Sequence, residues 1–213
     1  MPENPVDLIV YLVDDDPSVR DAVSVMLRYS GYRTELFADA ESFLAACRDD
    51  WTGCVVADLR LPGISGIDLQ ARLAERGNAI PVVIITAHGD VPTARKALRA
   101  DAVDFIEKPF EDSELRAAID RAFSMEQRRV KVEQSRLAYA QKLASLSVRE
   151  REVLKLAATG LHAKQIAATL GISARTVEVH KQRIMEKLGV RNVAELVRFA
   201  MTAELQHAEP HSR

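Results

Sequence analysis

Three uninterrupted apolar runs, Leu8–Val13, Cys54–Ala57 and Pro81–Ile85, and a fourth, Val103–Ile106, broken only by Asp104, limit what this chain can fold into more than any other feature. A strand with one face in water alternates apolar and polar residues, whereas a continuous run marks a strand covered on both faces. Arg33–Phe37 reads as a fifth, more exposed strand. The intervening stretches Ser18–Tyr29, Ala40–Cys47, Ile67–Glu75 and Thr93–Ala100 are amphipathic, and Asp16-Pro17 offers a helix cap followed by a first-turn proline.

Apolar strands alternating with helices predict an α/β doubly wound, flavodoxin-like domain of five parallel strands and five helices. The pattern then changes. From Phe110 to Thr159 there is neither Gly nor Pro, so the last of these helices can run past Phe123 into a charged linker. Ser147-Val148-Arg149-Glu150 is a capping box that opens a helix, and Gly160 ends it. Lys164–Leu170 is a short helix, Gly171-Ile172-Ser173 a tight turn and Ala174–Leu188 a longer helix. Asn192-Val193-Ala194-Glu195 opens a final helix as far as Leu205. These four helices, with a helix-turn-helix at their centre, predict an all-α second domain. The expected division is a first domain over 1–125, a helical linker over 126–142, the four-helix domain over 143–207 and a disordered tail over 208–213.

Charge divides along the same lines. Residues 1–125 hold 13 Lys/Arg against 22 Asp/Glu, 126–142 hold 5 against 2, and 143–213 hold 11 against 7. An acidic front and a mildly basic back imply different partners for the two halves. The two cysteines, Cys47 and Cys54, form no CxxC, and His162 and His180 lack partners at metal-ligand spacing. No disulfide framework is expected, which fits a reducing cytoplasm. The first apolar run is too short for a membrane span and has no basic stretch before it. Trp51 reads as partly buried packing.

Asp14, Asp15 and Asp16 directly follow the first strand, Asp58 follows the third, Thr86 ends the fourth and Lys108 follows the fifth. Taken singly, each reads as a polar residue finishing a strand. Together they occupy the carboxyl ends of parallel strands, where side chains converge on one site. Crowded carboxylates need a cation, and hard oxygen ligands with vacant positions favour Mg2+. Such a site suits phosphoryl transfer, with Asp58 as the nucleophile, Lys108 as a fixed positive charge and the Thr86 hydroxyl donating to a phosphoryl oxygen.

Val13-Asp14-Asp15, Val56-Ala57-Asp58-Leu59-Arg60-Leu61-Pro62, Ile85-Thr86-Ala87-His88 and Phe105-Ile106-Glu107-Lys108-Pro109-Phe110 resemble the motifs of response-regulator receiver domains, and His88-Gly89-Asp90-Val91-Pro92 together with the segment Asp104 to Asp112 resembles the FixJ-type subgroup. The resemblance implies phosphorylation of Asp58 by a cognate sensor histidine kinase. It implies Mg2+ held by Asp15, Asp58 and the Arg60 carbonyl, with Asp14 assisting through water. Lys108 would contact the phosphoryl group, Thr86 and Phe105 would form a switch pair, and Lys108-Pro109 would be cis. Arg60 and His88 vary widely among receivers and are candidates for screening the attacking water.

Residues 164–188 resemble the LuxR/NarL-type helix-turn-helix. Ile166, Ala167, Leu170, Ile172, Val177, Ile184 and Leu188 supply a small core, and Glu178, Lys181, Gln182 and Met185 are assigned by spacing to another face. Lys164, Arg175, Thr176, His180, Lys181 and Arg183 are the candidates for DNA backbone contacts. Glu178, Val179 and Gln182 are the candidates for base edges in the major groove. The resemblance implies a regulator rather than an enzyme, acting on double-stranded promoter DNA with RNA polymerase as a further partner. It also implies a homodimer when phosphorylated, with Leu196, Val197 and Ala200 of the last helix contributing to pairing.

In the linker, Phe123, Val130, Leu137 and Ala144 recur every seven residues, but Glu126, Glu133 and Ala140 follow them: half a coiled-coil seam, too polar for a stable pair. A doubly wound phosphatase would carry its nucleophile at the first strand and leaves the helix-turn-helix unexplained. An RNA-binding output is opposed by the four-helix spacing. A phosphorylation-independent transcription factor using the first domain only to dimerise has no need of Asp58 and Lys108, and both are present.

Overall fold

The computed structural model describes residues 8–87, 95, 97–99 and 101–207, with backbone alone for 201–207. The chain forms two compact units, Met1–Lys131 and Val132–Arg213.

In the first unit, five strands form one parallel sheet in the order β2-β1-β3-β4-β5. They are β1 (Ile9–Val13), β2 (Arg33–Phe37), β3 (Gly53–Asp58), β4 (Val82–Thr86) and β5 (Asp104–Glu107). The helices α1 (Pro17–Tyr29), α2 (Ala40–Ala46), α3 (Gly66–Glu75) and α4 (Asp112–Ala144) lie between and after them. Of the helix expected over Thr93–Ala100, Arg95 and Ala97–Arg99 are described and helical; His88 lies outside the described residues.

Each face of the sheet buries its own core, which is why the strands read as continuous apolar runs. Tyr11, Val13, Val55, Ala57 and Ile84 pack with α2 and α3 on one side. Val10, Leu12, Val56, Val83 and Ile85 pack with α1 and α4 on the other. The two edge strands are less covered: β2 keeps a half-exposed pattern, as its mixed sequence requires, and β5 buries Ile106 but leaves Glu107 exposed. Trp51 stacks on Tyr11 with ring centroids 4.4 Å apart, so its role is packing.

The helix α4 buries Leu115, Ala118, Ile119 and Ala122, then Glu126, which is wholly buried. Arg129 donates to both Glu126 carboxylate oxygens at 2.7 Å from Nε and Nη2. Within the single chain the seven-residue recurrence does not form one buried stripe. Phe123 packs into the first unit's core and Leu137 is exposed. Glu126, which had counted against a seam because it is polar, faces inward and satisfies its charge locally.

In the second unit, α5 (Val148–Ala158), α6 (Ala163–Leu170), α7 (Ala174–Leu188) and α8 (Val193–His207) enclose Leu146, Val153, Leu154, Ile166, Val177, Ile184, Leu188 and Leu196. The expected capping box forms in both directions: Glu150 N donates to Ser147 Oγ at 3.2 Å, and Ser147 N donates to Glu150 Oε2 at 2.7 Å. The second one forms differently. Asn192 Oδ1 accepts from Glu195 N at 2.9 Å, while the Glu195 carboxylate accepts from Arg191 N. Leu196 and Ala200 of α8 are buried in this unit's own core, while Val197 beside them is half-buried. The end of α4 joins the same core through Leu143. There Tyr139 stacks on Phe199 and Lys142 Nζ donates to the Leu188 carbonyl at 2.9 Å.

Glu150 also accepts from Lys187 Nζ at 2.7 Å. That bond, together with the Ser147 backbone donor, holds its pKa at about 2 against an ordinary 4.5. A carboxyl depressed on folding stabilises the folded state fully above its unfolded pKa and loses that contribution as pH falls toward its folded one. Glu150→Gln should therefore lower the thermal midpoint at neutral pH. The gap to the parent chain should close between pH 4.5 and about 2, followed by circular dichroism melts across that range.

Candidate functional site

The sheet register decides where the acidic residues meet. Val13 pairs with Ala57, Asp58 with Ile85 and Thr86 with Glu107. Asp14, Asp58, Thr86 and Lys108 thus emerge at one edge of four adjacent strands. Lys108 Nζ donates to Asp14 Oδ2 at 2.6 Å and to Asp58 Oδ2 at 3.1 Å. Asp14 is almost wholly buried, and the Asp58 side chain keeps 13% of its surface open. Asp15 is exposed, and Asp14, Asp15 and Asp58 each offer a carboxylate oxygen within 4.8 Å of the others. Asp16 stands apart as the cap of α1, accepting from Ser18 N. Thr86 is buried and its carbonyl accepts from Lys108 N at 2.6 Å. Phe105 packs half-buried on the first core, Arg60 is exposed, and Lys108-Pro109 is cis.

Burial disfavours the Lys108 ammonium, but hydrogen bonds and charge from Asp14 and Asp58 outweigh it and hold its pKa above the ordinary lysine value. One fixed cation thus faces three carboxylates, leaving an excess of negative charge and a set of hard oxygen donors. That donor set fits Mg2+. Asp58 combines access, a mid-site position and a neighbouring cation, as a nucleophile toward phosphorus requires.

Two supporting residues escaped the sequence reading. Arg20 donates from α1 to the Asp14 carbonyl and ties the acidic turn to that helix. Gly66 opens α3 where a side chain would collide, since a Cβ there would lie 2.4 Å from the Asp58 carbonyl oxygen. The signal was present: glycine in a helix costs conformational entropy and needs a reason.

In the second unit, Ser173 caps α7 by accepting from Thr176 N at 3.0 Å. Arg175, Thr176, Glu178, Val179, Gln182 and Arg183 are exposed and recur at three- and four-residue spacing, forming one outward stripe. Lys164 is exposed on α6. Lys181 and Met185 depart from their expected face. Lys181 falls four residues after Val177 and three before Ile184, on the core side, where it is buried and pairs with Glu178 at 3.4 Å. Met185 packs on the core. His180 is half-buried, with Nδ1 enclosed.

Residues 10–120 match the response regulator receiver domain family, and residues 144–200 match the bacterial regulatory proteins of the luxR family. The chain is 42% identical over 194 residues to the transcriptional regulatory protein FixJ of Bradyrhizobium diazoefficiens, covering 91% of this chain and 95% of that protein. It is a response regulator. The response regulator StyR shares its architecture with a TM-score of 0.86 at 42% identity, covering 92% of this chain and all of that one. Full-length FixJ from B. japonicum matches with a TM-score of 0.56 at 42% identity, covering 92% and 97% of the two chains. With a receiver domain and a LuxR-type helix-turn-helix in one chain, the regulator is a phosphorylation-dependent transcription regulator. Its acidic site and its exposed α7 stripe both fall within the matched residues.

Alanine at Gly66 gains helix propensity but forces its Cβ onto backbone. The clash should win, lowering stability by about 1–3 kcal/mol in urea denaturation of the regulator.

Proposed function

We propose that Asp58 is the phosphoacceptor and that a cognate sensor histidine kinase supplies the phosphoryl group. The observation that carries this reading is the convergence of Asp14, Asp15 and Asp58 around Lys108 Nζ. An Asp58 carboxylate oxygen forms the new bond to phosphorus as the bond to the donor's nitrogen breaks, and the donor imidazole keeps that electron pair. Asp15, Asp58 and the Arg60 carbonyl would hold Mg2+, with Asp14 assisting. The ion supplies positive charge against the phosphoryl oxygens. Lys108 offsets further charge, the Thr86 hydroxyl donates to a phosphoryl oxygen, and Phe105 moves with it. Arg60 and His88 border the path of hydrolytic water.

The output is double-stranded promoter DNA. Lys164, Arg175, Thr176 and Arg183 contact phosphates, with His180 at the margin of that group, and Glu178, Val179 and Gln182 read base edges. Arg175 and Thr176 lie at the amino end of α7, where partial positive charge favours a phosphate. Lys181 contributes through Glu178, which it orients. We assign the receiver to 1–125, the linker to 126–142, the DNA-binding domain to 143–207 and a tail to 208–213. The phosphorylated regulator pairs as a homodimer and acts with RNA polymerase in the cytoplasm, as a regulator and not an enzyme. Among the described residues no helix is long and apolar enough to cross a membrane.

Incubation with acetyl phosphate and Mg2+ should give an acid-stable, hydroxylamine-labile adduct by mass spectrometry. Asp58→Ala should abolish it; full labelling of that variant would refute the assignment. On promoter DNA, Arg183→Ala should reduce the slope of log affinity against log salt by about one unit, read by titration at several salt concentrations. Lys181→Ala should leave that slope unchanged and destabilise the folded domain.

A further inference from the structure

We propose that Glu41 is a positioning residue for phosphoryl transfer, clamping the loop between Asp58 and α3 from outside. The inference rests on the role of Asp58 and the Arg60 carbonyl given above.

That loop, Leu59 to Ser65, is tied at both ends. Leu59 N donates to the Ile85 carbonyl at 2.8 Å, and Gly66 N donates to the Leu59 carbonyl at 3.1 Å. Ser65 caps α3 by accepting from Asp68 N at 3.2 Å. The middle contains Pro62, which has no N–H to offer, and Gly63, whose φ is +77°. Here Glu41 reaches across from α2, and its Oε1 accepts from Ile64 N at 3.2 Å.

A second observation shows how closely the two segments fit. A Cβ on Gly63 would stand 2.3 Å from Glu41 Oε1. The carboxylate therefore lies over the one position in the loop with no side chain, and that position also has the backbone conformation glycine favours. A Glu in the first turn of a helix is often explained by the helix dipole alone. This one spends its carboxylate on a neighbouring loop. The helix end is fixed independently, since Asp39 accepts from Ser42 N at 2.6 Å.

The consequence falls on Arg60. Its N–H donates to Asp58 Oδ1 at 3.3 Å, and its carbonyl belongs to the same short span that Glu41 restrains. A charge-assisted bond to Ile64 limits how far that span can rotate. Outer residues that orient a metal ligand commonly change metal affinity 10- to 100-fold when removed.

Glu41→Ala, Glu41→Gln and the parent chain are compared by isothermal titration with Mg2+ and by initial rates of acetyl phosphate labelling at low and saturating Mg2+. Circular dichroism verifies that each is folded. Glu41→Ala should weaken Mg2+ binding about 10-fold. Its labelling should slow at low Mg2+ and recover at saturation. Glu41→Gln keeps an acceptor oxygen and should restore most of the affinity. Parent-like Mg2+ affinity in Glu41→Ala would overturn the proposal. So would equal weakening in both variants, which would indicate a charge effect rather than a hydrogen bond. If the parent chain binds Mg2+ but takes no phosphoryl group, the phosphoacceptor reading fails while the titrations still decide the role of Glu41.

Discussion

Carboxylates brought within 4.8 Å of one another repel, and the Lys108 ammonium is the charge that makes their crowding tolerable. Much else in the first unit follows from holding that cation in place. Lys108 extends from the end of β5, so β5 must pair with β4, and β4 with β3, before Nζ can reach Asp58 and Asp14. Parallel pairing brings every strand end to the same edge, and both faces must then be covered by helices. The two cores are therefore a precondition of the site. They keep the strand ends in register, so that residues far apart in sequence meet within hydrogen-bond distance.

The pocket was legible because its logic is local. An apolar run followed by Asp, Thr or Lys reports both a buried strand and the polar end it presents: Asp14, Asp58 and Thr86 follow theirs directly, and Lys108 comes one residue later, after Glu107. The motif resemblance agreed with that physical reading position by position. Arg20, Glu41 and Gly66 were not legible, because their function is a meeting with another segment that no periodicity encodes. Lys181 is a different kind of miss. It was grouped by spacing with Glu178, Gln182 and Met185, but its place four residues after Val177 and three before Ile184 puts it on the core side. Long cations can bury their stems in this way and still find a partner.

Two opposite demands meet on α7. Its outer stripe stays exposed, bonded to near neighbours in the pairs Thr176–Ser173, Glu178–Lys181 and Gln182–Glu186, whereas its inner stripe must be held firmly enough to keep the outer one oriented. Val177, Ile184 and Leu188 supply the apolar part of that hold. At the carboxyl end, Lys187 is bound by Glu150 and the Leu188 carbonyl is capped by Lys142. A cation at a helix carboxyl terminus opposes the partial negative charge there. Both contacts come from outside α7, so the recognition helix owes its placement to its neighbours as well as to its own sequence.

The helix α4 raises the question of how 33 residues stay helical when one stretch of the helix is exposed throughout. Lys131 to Ala138 are all exposed, and Glu133 pairs with Arg136 at 3.8 Å at the surface. Such a pair contributes at most about 1 kcal/mol, and isolated helices of this length are marginal in water. Support therefore comes from the ends. The first turns are nucleated by Leu115, Ile119 and Ala122, with the Glu126–Arg129 pair closing that anchored part. The last turns are held by Tyr139, Lys142 and Leu143. Once two anchored ends have borne the cost of nucleation, each residue between them adds a hydrogen bond at small cost, so the exposed middle persists without a core of its own. Loosening either end removes that advantage, which makes the middle of α4 the place where a change in one unit alters helical order most easily.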